Sequence, residues 1–168
     1  MEANEISEKY FSFLSDFKTL SMATLSEVGK PHLSYCPFVF APESSEVFIL
    51  ISEIAEHTKN ILFHPKLTLM LIEDESKSQK MFARKRLTLF CSATQVERDD
   101  GRYEKVIGNL KDRHGEIIST LSSMSDFRLF CLCPLNARMV LGFGEAYHSS
   151  TGRPDDLAPL RRGHGKKN

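Results

Sequence analysis

Apolar residues recur along the chain with two different periods, and the switches between them predict its elements. Between Ile6 and Phe17, Tyr10, Phe11, Phe13, Leu14 and Phe17 fall at helical spacing and predict an amphipathic opening helix. From Leu20 to Leu25 the pattern alternates, a short strand. Glu27 to Lys30 predicts a hairpin turn, with Gly29 in the left-handed position. Pro31 to Phe40 is the returning strand, and Pro37 marks an edge or a bulge in it. A turn over Pro42 to Ser45 leads to a buried strand, Val47 to Ile51.

Ser52-Glu53 then predicts the start of a helix that carries Ile54, Ile61, Leu62 and Phe63 and stops at Pro65. A strand over Leu67 to Ile72, a polar loop over Glu73 to Lys80 and a longer strand over Leu87 to Val96 follow. Arg102 to Leu121 predicts a helix broken near Gly115. Phe127 to Cys133 and Ala137 to Phe143 predict two strands around a turn at Pro134-Leu135-Asn136, and the pattern stops after Tyr147. So many adjacent strands exclude a doubly wound parallel sheet. They imply a mainly β, antiparallel barrel with helices packed on its outside.

Composition narrows the function classes. A chain of 168 residues, 41% of them hydrophobic, fits one domain with a substantial core. The formal net charge is zero, so no overall basic excess draws the chain to nucleic acid. No apolar run approaches the roughly 20 residues that cross a bilayer, which argues against membrane insertion. The acidic N-terminal stretch does not resemble a secretory signal, and a cytoplasmic location is expected. Cys36, Cys91, Cys131 and Cys133 lack zinc-site spacing and read as free thiols of a reducing compartment. Residues 1–148 are expected to form the barrel. The tail, 149–168, is rich in Gly, Pro, Arg and Lys and holds only Leu157 and Leu160 as large apolar side chains, the composition of a segment that orders poorly by burial.

Few residues offer chemistry. His164 lies in Arg161-Arg162-Gly163-His164-Gly165-Lys166-Lys167. Flanking glycines let a flat ligand approach, imidazole is a common axial ligand of heme iron, and the basic neighbours suit two propionates. The same residues also fit a solvated basic tail. Asp126 stands where a strand begins, either as a turn residue or as the acceptor that fixes a ligating histidine's tautomer. His57-Thr58-Lys59 suits a phosphate or an exposed helix face, and Arg84-Lys85-Arg86 suits an anion or a solvated loop end.

The run from Ser52 to Ile72, with Ala55, His57, Thr58, Asn60, Ile61 and Pro65, resembles the strand-helix-strand unit of the pyridoxamine-phosphate-oxidase-like split barrels. Asp126-Phe127-Arg128-Leu129-Phe130, Gly142-Phe143-Gly144-Glu145-Ala146 and the Gly-His-Gly tail are more similar to the HutZ/HugZ heme-utilisation family within that superfamily. The resemblance implies a homodimeric split barrel with heme at the subunit interface. It implies His164 as the iron ligand and Asp126 as the aspartate that accepts a hydrogen bond from that histidine across the dimer. Arg86 and His57 match further heme-pocket positions. The implied activity is a heme-degrading oxygenase fed by an external electron donor. Heme trafficking or storage without turnover is the first alternative. An FMN-dependent oxidoreductase is the second, because Thr58 and Lys59 keep part of the flavin-phosphate pattern.

Overall fold

A computed structural model describes residues 3–160. Helix α1 (Ala3–Ser15) leads into a hairpin of β1 (Thr19–Leu25) and β2 (Pro31–Pro37). Its turn forms as the sequence predicts: the Ser26 amide donates to the Lys30 carbonyl (2.9 Å), and Gly29 takes φ 79°. The strand expected to run on to Phe40 divides instead. Pro37 has no amide hydrogen to extend the ladder, and after Phe38 the chain enters β3 (Val39–Ala41), which pairs with β4 (Glu46–Ser52). Helix α2 (Glu56–Phe63), β5 (Lys66–Ile72) and β6 (Arg86–Val96) follow. The expected break at Gly115 (φ 88°) separates α3 (Tyr103–His114) from α4 (Ile117–Ser123).

The two strands expected after residue 126 are one, β7 (Phe127–Gly142). What reads as a turn at Pro134-Leu135-Asn136 is a β-bulge. Phe90 faces Asn136 and Cys91 faces Pro134, so Leu135 is the extra residue and Pro134 sits where the ladder is already interrupted. Order also continues beyond Tyr147. β8 (Glu145–Ser149) pairs with β7, and β9 (Ala158–Pro159) pairs with β8. Between them one carboxylate organises the chain. Asp156 Oδ2 accepts from the amides of Ser150 (2.9 Å) and Thr151 (3.1 Å), while Leu157 is buried in the main core. Polar satisfaction thus orders a segment that apolar content alone does not.

The sheet path is β2-β1-β5-β6-β7-β4-β3, antiparallel throughout. Its two end strands, β2 and β3, are consecutive in the chain, with only Phe38 between them. The sheet therefore curls until its ends approach: an antiparallel split barrel with flanking helices. Met22, Ile49, Leu69, Leu87, Leu89, Leu132 and Met139 fill the inside, and α1 adds Ile6, Tyr10, Phe13 and Leu14. A second core forms where Val106, Leu110 and Ile118 of α3 and α4 pack on Phe48, Leu50 and Leu129. The register places Met70, Ile72, Arg86, Phe90 and Val140 on the opposite, outer face of β5, β6 and β7, all partly exposed.

The bulge also receives the C-terminal segment. A Cβ on Gly152 would stand 2.6 Å from Pro134 Cβ and 2.8 Å from its carbonyl oxygen, and Gly152 has φ 77°. Gly152→Ala is expected to cost about 1–3 kcal/mol through clash and strain together. Thermal unfolding should show a lower midpoint for the variant. An unchanged midpoint would mean that the segment does not pack against the bulge.

Candidate functional site

The site grows from the place where β4 ends and β7 begins. Ser52, the last residue of β4, pairs with Phe127, the first of β7, and Asp126 stands just outside the ladder. Two hydrogen bonds fix Asp126: the Glu53 amide donates to its carbonyl (2.7 Å), and Ser52 Oγ donates to its Oδ2 (2.8 Å). Among the described residues, Asp126 Oδ1 accepts no hydrogen bond. Arg128, two residues along the chain, is drawn elsewhere. Arg128 Nε donates to Glu53 Oε1, and Arg128 Nη1 donates to Gln95 Oε1 (2.8 Å). A carboxylate results with one oxygen held and one left for an N–H donor. A cavity of about 490 Å³ lies against Ser125 and Phe127, the sequence neighbours of Asp126, and is lined also by Gln95, Arg98, Tyr103 and Arg128; Asp126 itself does not line it.

The helix expected to open at Ser52-Glu53 begins later, at Glu56. Ser52 belongs to the strand, and the Ala55 amide donates back to its carbonyl (3.2 Å) in the intervening turn. Thr58 is fully buried, and its hydroxyl donates to the same Ser52 carbonyl (2.6 Å). This hydroxyl clamps the chain behind Asp126 and is not turned toward solvent. Lys59 is exposed at the surface. Asn60 is buried and donates to Thr24 Oγ1 (3.0 Å), which ties α2 to β1.

His57 leaves α2 on the β2 side, where Nδ1 shares a hydrogen bond with Ser34 Oγ (3.1 Å). Its pKa lies below the ordinary 6.5, first because burial disfavours the imidazolium and second because His32 is close. Arg86, the first residue of β6, faces Ile72 and Val140 and donates from Nη1 to the Arg84 carbonyl (3.1 Å). The stretch of β6 from Arg86 to Gln95 is on the order of 30 Å long at roughly 3.3 Å per residue. One chain therefore gathers Asp126 and Thr58 around Ser52, with His57 on the same short helix as Thr58, and leaves Arg86 at the far end of the strand. His164 lies outside the described residues.

Sequence reasoning passed over Ser52, Glu53 and Gln95 as functional positions and took Arg128 only as part of a motif. The pairing of β4 with β7 brings Ser52 and Glu53 to Asp126, across a separation of 74 residues for Ser52, and the pairing of β6 with β7 brings Gln95 to Arg128.

The family model for pyridoxamine 5'-phosphate oxidase matches residues 6–141. Heme oxygenase HutZ of Vibrio cholerae is 44% identical over 154 residues, 92% of this chain and 86% of HutZ. The chain belongs to the HutZ family of the pyridoxamine 5'-phosphate oxidase-like superfamily. A crystal structure of V. cholerae HutZ, described there as a heme storage protein, superposes with a TM-score of 0.71 at 43% identity. That match covers 77% of this chain and 89% of HutZ. Campylobacter jejuni ChuZ superposes with a TM-score of 0.83 at 30% identity, over 95% of this chain and 64% of ChuZ, so this HutZ-family chain spans less than two thirds of that relative.

The buried setting of His57 makes stability depend on pH. With the folded-state pKa below 6.5, the unfolded chain binds more protons in that range, so stability rises with pH there. The contribution is present above 6.5 and is lost as pH falls through the folded value. Urea midpoints measured from pH 7.5 to 5 should fall with pH, and His57→Gln should flatten the slope. An equal slope in the variant would locate the effect elsewhere.

Proposed function

We propose that the chain binds heme between two copies of itself and opens the macrocycle oxidatively, with electrons from an external donor, releasing iron and a biliverdin-type product in the cytoplasm. The observation that carries this reading is the 44% identity to heme oxygenase HutZ over 92% of the chain. In this reading His164 of one copy is the axial ligand of the heme iron, carried in by the tail, residues 149–168. Asp126 of the other copy accepts a hydrogen bond from the remaining ring nitrogen of that imidazole. Heme is the substrate, and its own iron and dioxygen supply the oxidation of the ring carbon. The protein's part is to bind, orient and tune.

The local geometry supports these roles. Asp126 keeps one carboxylate oxygen for an N–H donor, as a partner of a ligating imidazole must. Such a carboxylate raises the basicity of the imidazole and its electron donation to iron. Arg86 is separated from Asp126 by most of β6, so a pocket that uses both draws Arg86 from the copy that does not supply Asp126. The outer face of β5, β6 and β7, with Met70, Ile72, Phe90 and Val140 around Arg86, is the surface on which we place the homodimer contact.

FMN is the weaker candidate ligand. The Thr58 hydroxyl is committed to the Ser52 carbonyl, and Glu56 occupies the first turn of α2, where a phosphate would meet like charge. Flavin binding predicts yellow protein and indifference to removal of the tail. Heme storage without turnover stands closer, because one HutZ structure is described in those terms.

His164→Ala is expected to abolish tight hemin binding, read as loss of the Soret shift on titration; an unchanged Soret band and affinity would overturn the ligand assignment. For the intact chain, aerobic hemin with ascorbate and catalase should lose its Soret band and release chelatable iron. A band that persists under those conditions would favour storage.

A further inference from the structure

Resting on the ligand reading above, we propose that Ser52 is a positioning residue that limits how strongly Asp126 accepts a hydrogen bond from the ligating imidazole. The contact is direct, Ser52 Oγ to Asp126 Oδ2 at 2.8 Å. An ionised carboxylate only accepts, so the shared proton is the serine's. The Ile54 amide donates to Ser52 Oγ at 3.4 Å, which leaves the hydroxyl proton to Asp126.

Ser52 is held in this pose from three directions. The Thr58 hydroxyl and the Ala55 amide both donate to its carbonyl, and β4–β7 pairing sets it opposite Phe127. The Glu53 amide fixes the Asp126 backbone from the same turn. Glu53 and Gln95 take Arg128, and among the described residues no guanidinium hydrogen-bonds the carboxylate. Two donors therefore meet on one carboxylate: Ser52 on Oδ2, and the imidazole N–H of the ligand on the oxygen left over.

A donor on one oxygen draws negative charge from both, because the two share a delocalised system. The bond at Oδ1 weakens as the bond at Oδ2 strengthens. Ser52 thus moderates the push that Asp126 transmits through the imidazole to iron. A full push would favour the ferric state and hinder the reduction that turnover needs. No push would leave the iron a poor activator of dioxygen. On this account the serine sets the balance without touching heme or its ligand.

The experiment uses the hemin complex of the full chain, reduced anaerobically, and reads the iron–histidine stretching band by resonance Raman. Ser52→Ala should shift the band upward, and Ser52→Thr, which keeps the hydroxyl, should leave it at the wild-type position. A band that does not move in Ser52→Ala, or that moves downward because the carboxylate has swung away, overturns the proposal. If Ser52→Ala does not fold, Ser52→Cys replaces it. Its weaker S–H donor should give a smaller upward shift, and no shift again overturns the role of Ser52. His164→Ala serves as the control. Loss of its band with no shift in the serine variants defeats only the inference about Ser52, whereas a band that survives in His164→Ala defeats the ligand reading beneath it.

Discussion

The antiparallel ladder between β6 and β7 determines where everything else can stand. It pairs every residue of β6, from Arg86 opposite Val140 to Val96 opposite Leu129, and accommodates the bulge at Leu135 on the way. Strands this long and this fully paired are stiff over their length. Their inner face carries Leu87, Leu89, Ala137 and Met139 into the core, so a slip of one residue would turn the buried set outward. The bulge takes up the one extra residue and fixes the register on both sides of it. Arg86 and the Asp126 junction are consequently held at opposite ends of one rigid element. In the proposed reading, a ligand pocket that uses both draws on two chains.

At the Asp126 end the structure concentrates polar order on a few atoms. Thr58, Ala55 and Glu53 arrange the turn after β4. Ser52 then reaches the carboxylate, while Glu53 and Gln95 hold Arg128. Each donor named here has an acceptor, and such a network restricts the side chains that form it. Among the described residues, Asp126 Oδ1 accepts no hydrogen bond. Charge tuning of a ligand works only when the acceptor is fixed before the ligand arrives, and here the fixing lies in backbone and neutral hydroxyl groups whose state does not vary with pH.

Much of this was legible in the residue pattern, and the losses have identifiable causes. The alternation in Leu87 to Val96 and the helical spacing in Ile6 to Phe17 foretold a barrel strand and the helix that packs against the core, since both report burial on one face. The region around Pro134 misled because proline and asparagine signal a turn in isolation, whereas pairing with β6 makes the same residues a bulge. The segment after Ser149 misled because its order rests on one carboxylate, Asp156, and one buried leucine, which composition averages away. Asp126 stood out through the resemblance of the run it leads, Asp126-Phe127-Arg128-Leu129-Phe130, since an aspartate before a strand is by itself an ordinary turn residue. Ser52 did not, because a serine at the end of a strand is ordinary, and its meaning comes from a partner 74 residues away. Thr58 was legible as polar and near a helix start but not as buried, because only the turn between Ser52 and Glu56 points it inward.

The direct test of a shared, aspartate-tuned heme site is a crystal structure of the protein with hemin. The account predicts two copies, iron on the imidazole of His164 and the other ring nitrogen within hydrogen-bond distance of Asp126 from the opposite copy. It also predicts Arg86 reaching the ring from the copy that does not supply that Asp126. Iron held by any other residue, or a heme enclosed by a single chain, would contradict it.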